Sequence, residues 1–232
     1  MGKLYKNSPL VESVFEIRFP PELAVECRRD EYYNRIREEF PEVNLPLADT
    51  SEPYALKNYL FRDKQREKGI QFSVNKCSFH RYKYFGFTEF KEQALRYLRM
   101  FAEEFEIQML HRTGLRYVNH IPILRENGVI PLTKYLNFGY RMPQSVPEQY
   151  DFLHTVLFAK IGDGAVRILI QYRKLPDDRE TEVIVLDFDC FHEGNLTFSR
   201  VEAYIDESHK HTKMIFEDLV TEYYRKIMDQ EP

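Results

Sequence analysis

Arg112, Arg116 and His120 recur at even spacing in the segment Arg112-Thr113-Gly114-Leu115-Arg116-Tyr117-Val118-Asn119-His120-Ile121. Alternate residues of an extended strand share a face, so the two guanidiniums and the imidazole fall on one side with Gly114 and Val118. Arginine offers paired N–H donors that match a carboxylate or phosphate. Gly114 leaves space for a ligand or a chain to approach. Together with the adjoining Asn119, this reads as a face for an anionic ligand or a partner protein. A second arrangement competes with it. Glu12, Glu16 and Arg18 share the polar side of an earlier strand, and Glu16 paired with Arg116 is an internal ion pair that needs no ligand. Glu16 and Arg18 therefore join Arg112, Arg116, Asn119 and His120 as candidate site residues.

A second constellation is Phe79-His80-Arg81-Tyr82-Lys83-Tyr84-Phe85, where bases and aromatics interleave. Single-stranded nucleic acid is held by such a mixture, rings for stacking and cations for phosphates. Strict alternation puts His80, Tyr82 and Tyr84 on one face and Arg81 and Lys83 on the other, which separates the two functions. Arg81 and Lys83, with the charged stretch 62–68, are the positions for nucleic-acid contact if there is any. Asp187-Phe188-Asp189-Cys190-Phe191-His192-Glu193 sets carboxylates on alternate residues before a histidine, a pattern that can hold a metal. Alternate acids on an antiparallel strand more commonly face water, and no metal or cofactor is expected. His209 and His211 are two apart on a helix and point away from each other. No phosphate loop, dinucleotide fingerprint, nucleophile elbow or zinc-protease signature occurs in the chain.

The 232 residues carry 33 Lys and Arg against 37 Asp and Glu, so the net charge of −4 argues against a bulk polyanion binder. Cys27, Cys77 and Cys190 are odd in number and widely spaced. That argues against a disulfide framework and for a reducing compartment. No apolar run reaches the length of a membrane span and no secretory leader is read at the start, so a soluble cytoplasmic protein is expected.

The elements that must position these residues follow from periodicity. Residues 11–19 alternate as a half-buried strand, ended by Pro20-Pro21. A helix is predicted over 26–40, and a loop over 44–53. Strands at 55–61, 69–75 and 78–87 make a meander. Thr88 is the predicted N-cap of a helix to 106, striped by Phe90, Ala94, Leu98, Phe101 and Phe105. A strand over 111–123, a short helix over 131–136 and a loop over 137–147 come next. Strands at 152–159, 165–172 and 182–190 follow, with Gly162-Asp163-Gly164 as a hairpin turn. The tail 198–228 is helical, and its polar stretch 206–213 predicts a kink or two abutting helices. The order strand, helix, meander, helix occurs twice. The expected fold is one α+β domain over 1–232, built from pseudo-repeats 1–110 and 111–232. About eight antiparallel strands would form a curved sheet with two long helices packed on it.

Three stretches together resemble a family of uncharacterised bacterial proteins described only as sporadically distributed. They are the opening 5–19 (YKNSPLVESVFEIRF), the central 112–121 (RTGLRYVNHI) and the C-terminal 215–222 (IFEDLVTE). His120 stands where that family's central motif has arginine. The resemblance implies an accessory bacterial system, with defence or stress as its setting, and no particular activity. The expectation is a non-catalytic binding protein for a partner or an anionic ligand. A nucleic-acid module is one alternative. Another is an enzyme on a small anionic substrate with His120 as acid or base. Tyr223 and Tyr224 are positions for a homodimer contact or a core cap.

Overall fold

The computed structural model describes residues 5–46, 58–139, 145, 152–175 and 181–230. Among the described residues nine strands form one antiparallel sheet: β1 (Leu10–Arg18), β2 (Glu42–Asn44), β3 (Tyr59–Arg62), β4 (Lys68–Ser73), β5 (Lys76–Arg81), β6 (Met109–Pro122), β7 (Leu153–Ile161), β8 (Gly164–Lys174) and β9 (Glu182–Thr197). Their order across the sheet is β2-β3-β4-β5-β1-β6-β9-β8-β7. The helices are α1 (Ala24–Cys27), α2 (Arg29–Ile36), α3 (Phe87–Glu104), α4 (Leu132–Tyr135), α5 (Val201–Leu219) and α6 (Glu222–Asp229). The architecture is thus mixed α+β. No helix among the described residues is long and apolar enough to cross a membrane.

Alternation sets the two faces. In β1, Ser13, Phe15 and Ile17 are buried and oppose Tyr117, Leu115 and Thr113 of β6. That face meets the helices. Its first core cluster joins Phe15, Ile17, Phe72 and Phe79 to Tyr32 of α2 and to Phe90, Leu98 and Phe101 of α3. The aromatic content is spent here: Phe101 lies against Phe19, Tyr32, Phe72 and Phe105. A second cluster joins Ile121, Ile170, Leu186 and Phe188 to α4 and α6, with Ile215, Phe216 and Leu219 of α5 packed on it. The start of α5 belongs to the first cluster through Val201, Tyr204 and Ile205. This helix therefore spans the junction of both.

Several boundaries differ from the periodicity. The helix predicted over 26–40 is the two pieces α1 and α2, separated by Arg28 in a non-helical conformation. Residues 42–44, which run into the predicted loop at 44, form an additional strand by pairing with 60–62. Residues 47–53 of that loop, and 55–57 of the next predicted strand, lie outside the described residues, as does most of the predicted loop 137–147. The final helix does not break in its polar stretch. α5 runs through 206–213 unbroken and ends at Leu219, with Thr221 capping α6 through its side chain.

Helix α3 starts before the expected Thr88. Gly86 occupies the N-cap position, and no side chain caps the helix. Its φ of 129° is a backbone region that only glycine enters without strain. Gly86→Ala is expected to cost about 1–3 kcal/mol in urea unfolding. An unchanged midpoint would contradict this backbone.

Candidate ligand cavity and the ion-paired face opposite

From Arg112 onward, past an irregularity between Leu110 and Arg112, the even-numbered residues of β6 face away from the helices, and there the two arginines are held by carboxylates. Arg112 donates to Glu16 at 3.1 Å and to Asp189 at 2.7 Å, and its guanidinium lies 4.4 Å from the Phe191 ring centre. It also fills the space over Gly114, where an added Cβ would stand 2.8 Å from Arg112 Nη1. The gap left by that glycine is thus occupied from within the chain. Arg116 forks onto Asp187 at 2.8 and 2.9 Å, and Arg167 donates to the same carboxylate at 2.8 Å. The Asp187 hydrogen bond holds the Arg116 guanidinium above its usual range.

The expected Glu16–Arg116 pair is therefore replaced by Glu16–Arg112 and Arg116–Asp187. The register explains the exchange. Arg116 sits opposite Asp189, with Asp187 two residues along on the same face, and Asp187 is buried rather than solvent-facing. Arg18 donates to Glu16, Glu12 bonds to His80, and His120 contacts Arg173. Burial raises the Glu12 carboxyl, but the His80 hydrogen bond and charge outweigh it, so the net shift is downward. Burial, and then Arg173, push the His120 imidazole down.

The basic–aromatic segment splits otherwise than alternation predicts, because β5 stops at Arg81. Arg81 is buried and donates to Glu89, Lys83 pairs with Glu67, and both cations lie over the Phe85 ring. His80 faces the ion-paired side of the sheet, stacked near Tyr82. Tyr84 turns instead to the helix side and meets Tyr117 edge-on.

Asn119 is separated from the other candidate residues. It is odd-numbered, so it projects to the helix face, where it is 5% exposed. There it lines a cavity of about 560 Å3 together with Tyr84, Tyr117, Phe188, His209 and Phe216. This volume lies within the range of small-molecule sites, roughly 300–1,000 Å3. The cavity occupies the junction of the two core clusters. Its floor is β6 and β9, one wall is the start of α3, and the other is the middle of α5.

Asn119 Nδ2 donates to the Leu186 carbonyl at 3.2 Å. Among the described residues nothing donates to its Oδ1. The oxygen is not one of the fully buried unpaired atoms and so opens onto the cavity, where a donor can reach it. The Tyr117 hydroxyl lies 2.9 Å from His209 Nδ1, and Phe87 stacks flat on the His209 ring at 3.7 Å. Burial, and then the Lys213 charge, push the His209 pKa down to about 4, so the ring is neutral at pH 7. Its Nε2 has no hydrogen-bond partner among the described residues. Thr212 bonds back to the Ser208 carbonyl at 2.7 Å, which satisfies that hydroxyl within the helix.

Sequence reading missed His209, Lys213 and Tyr84 as residues of one site. The available signal was the polar stretch 206–213, which interrupts an apolar stripe on a helix that runs on unbroken. No protein-family model and no curated protein matches the chain.

Proposed function

We propose that this chain is a non-catalytic binding protein whose ligand is a small molecule with a compact apolar body, taken into the cavity between α3, α5 and the central strands. The observation that carries this reading is Asn119. It is a nearly buried carboxamide in an aromatic-walled cavity, and its oxygen has no donor among the described residues. An O–H or N–H on the ligand supplies that donor, while Tyr84, Phe87, Phe188 and Phe216 shed water onto the apolar body. The Arg112–Arg116 face is the weaker place for a ligand, because its guanidiniums are already paired.

The element order supports a duplicated origin for units 1–110 and 111–232. β1 and β6 pair at the centre, each flanked outward by its own later meander, and α3 and α5 close the two units. On that reading the cavity is where the units meet. The resemblance of three stretches to the sporadically distributed bacterial family supports a role in an accessory bacterial system.

Calorimetric titration with 2-naphthol and naphthalene tests the assignment. Wild type is expected to bind 2-naphthol at one site and to prefer it to naphthalene by about fivefold, the worth of roughly 1 kcal/mol from one hydrogen bond. Asn119→Leu should erase that preference while the protein stays folded. Thr88→Trp, at an exposed position on the cavity wall, should weaken both compounds at least about tenfold by filling the space. Binding that ignores Thr88→Trp would place the ligand elsewhere.

A further inference from the structure

The cavity has polarity as well as shape. Lys213 lines it, is only partly exposed, and makes no ion pair or hydrogen bond among the described residues. Two of the three carboxylates of the wall differ in this respect. Glu89 takes the Arg81 guanidinium, and Glu217 is held by Tyr5 and Arg225. Glu92 is exposed at the rim.

The first turn of α3 faces the same space. Gly86, Phe87, Thr88 and Glu89 all line the cavity, and no side chain caps the helix. The leading N–H groups of a helix have no intrahelical acceptor and carry the positive end of its dipole. Phe87, the first residue of this 18-residue helix, stacks on His209, and Lys213 stands one turn along α5 from His209. The unpaired ammonium and the open helix start are therefore neighbours of the same ring. The nearly buried Asn119, its oxygen unpaired among the described residues, marks the floor of the cavity as a ligand site independently of that helix end.

We infer that the ligand carries a single carboxylate, held between Lys213 and the first turn of α3, on an apolar body whose hydroxyl or N–H reaches Asn119. This inference rests on the reading of the cavity as the ligand site. One negative charge fits better than two. Lys213 is the one unpaired cation among the described wall residues, and Glu89, Glu92 and Glu217 line the same space. A phosphate monoester carries about −1.5 to −2 at pH 7 and would meet those carboxylates with little compensation. The polar groups thus lie at two ends, a hydrogen-bond acceptor in the floor and positive charge on the walls. This selects hydroxylated or N–H-bearing aromatic carboxylic acids over neutral phenols and over phosphate esters.

Four probes with one ring system separate the contributions: 2-naphthol, 2-naphthoate, 6-hydroxy-2-naphthoate and 2-naphthyl phosphate. In 50 mM salt, 6-hydroxy-2-naphthoate is expected to bind at least about tenfold tighter than 2-naphthol, the scale of one partly buried charge-assisted contact plus the helix end. Lys213→Met should reduce that advantage, read as the ratio of the two affinities within the same variant, to threefold or less. Lys213→Arg should retain it, which controls for folding. 2-Naphthyl phosphate should bind no tighter than 2-naphthoate. Equal affinity for 2-naphthol and 6-hydroxy-2-naphthoate would overturn the carboxylate and leave the cavity standing as a site for neutral ligands. An unchanged advantage in Lys213→Met would overturn it too. A tighter phosphate would reassign the head as a dianion. If 2-naphthol itself fails to bind, the cavity is not the site and the inference falls with it.

Discussion

Replacing Arg112 with alanine is expected to destabilise the protein by about 3–5 kcal/mol, the range for removing one partner from a buried ionic cluster. The side chain is 9% exposed. It donates to Glu16 and Asp189, lies 3.7 Å from the Glu193 carboxylate, and covers the Phe191 ring and the bare backbone of Gly114. Deleting it leaves Asp189 without its closest cation and opens a void over the sheet. Arg116→Ala should cost far less, about 1 kcal/mol, since surface-type pairs contribute little. Its side chain is 43% exposed, and Asp187 keeps Arg167. Urea unfolding of the two variants side by side gives the comparison. Equal losses would mean that the two arginines are not distinguished by burial as described.

The second large effect concerns pH. The neutral His209 is held by burial at a pKa of about 4, against 6.5 for a free imidazole. The unfolded chain therefore binds more protons than the folded one between these values. The contribution is complete above pH 6.5 and is lost as pH falls to 4. It amounts to at most about 3 kcal/mol at 1.36 kcal/mol per pKa unit. The groups around the ring are Tyr117, Phe87, Lys213 and Asp206. His120 and His192 are also pushed down by burial and share the acid lability. His209→Phe keeps a flat ring against Phe87 and removes the titration. It should flatten the stability profile between pH 6.5 and 4 by most of that amount. A profile as steep as the wild type would assign the acid lability to other groups.

Much of the fold is legible because its signals are local. Phe15 and Ile17 alternate with Glu16 and Arg18 in β1, and the first pair is buried beneath the helices. The stripe Phe90, Ala94, Leu98, Phe101 and Phe105 is the buried side of α3 and its C-terminal cap. The turn at Gly162 joins β7 to β8, in the left-handed conformation that its glycine permits. The ion-paired face was half legible. The side on which Arg112 and Arg116 project follows from period two, but which carboxylates meet them depends on the register between β6 and β9. Some 70 residues separate those strands, a relation that no local pattern carries.

The cavity was less legible still. It brings together Tyr84 after β5, Asn119 on β6 and His209 on α5, three segments that meet only once the sheet is assembled. Asn119 appeared beside the arginines in sequence, and a strand sends neighbours to opposite faces, so adjacency there separated them. The polar stretch of α5 predicted a kink or two abutting helices. The helix runs unbroken through those positions and turns His209, Thr212 and Lys213 toward the gap between the two core clusters.

The central claim is that the ligand enters between α3 and α5 and not on the arginine face of β6. Titration of 6-hydroxy-2-naphthoate into wild type, Thr88→Trp and Arg116→Ala tests it most directly. The structure predicts that wild type and Arg116→Ala bind alike, while Thr88→Trp loses at least about tenfold. Loss of binding in folded Arg116→Ala, with Thr88→Trp unaffected, would contradict it and return the site to the opposite face of the sheet.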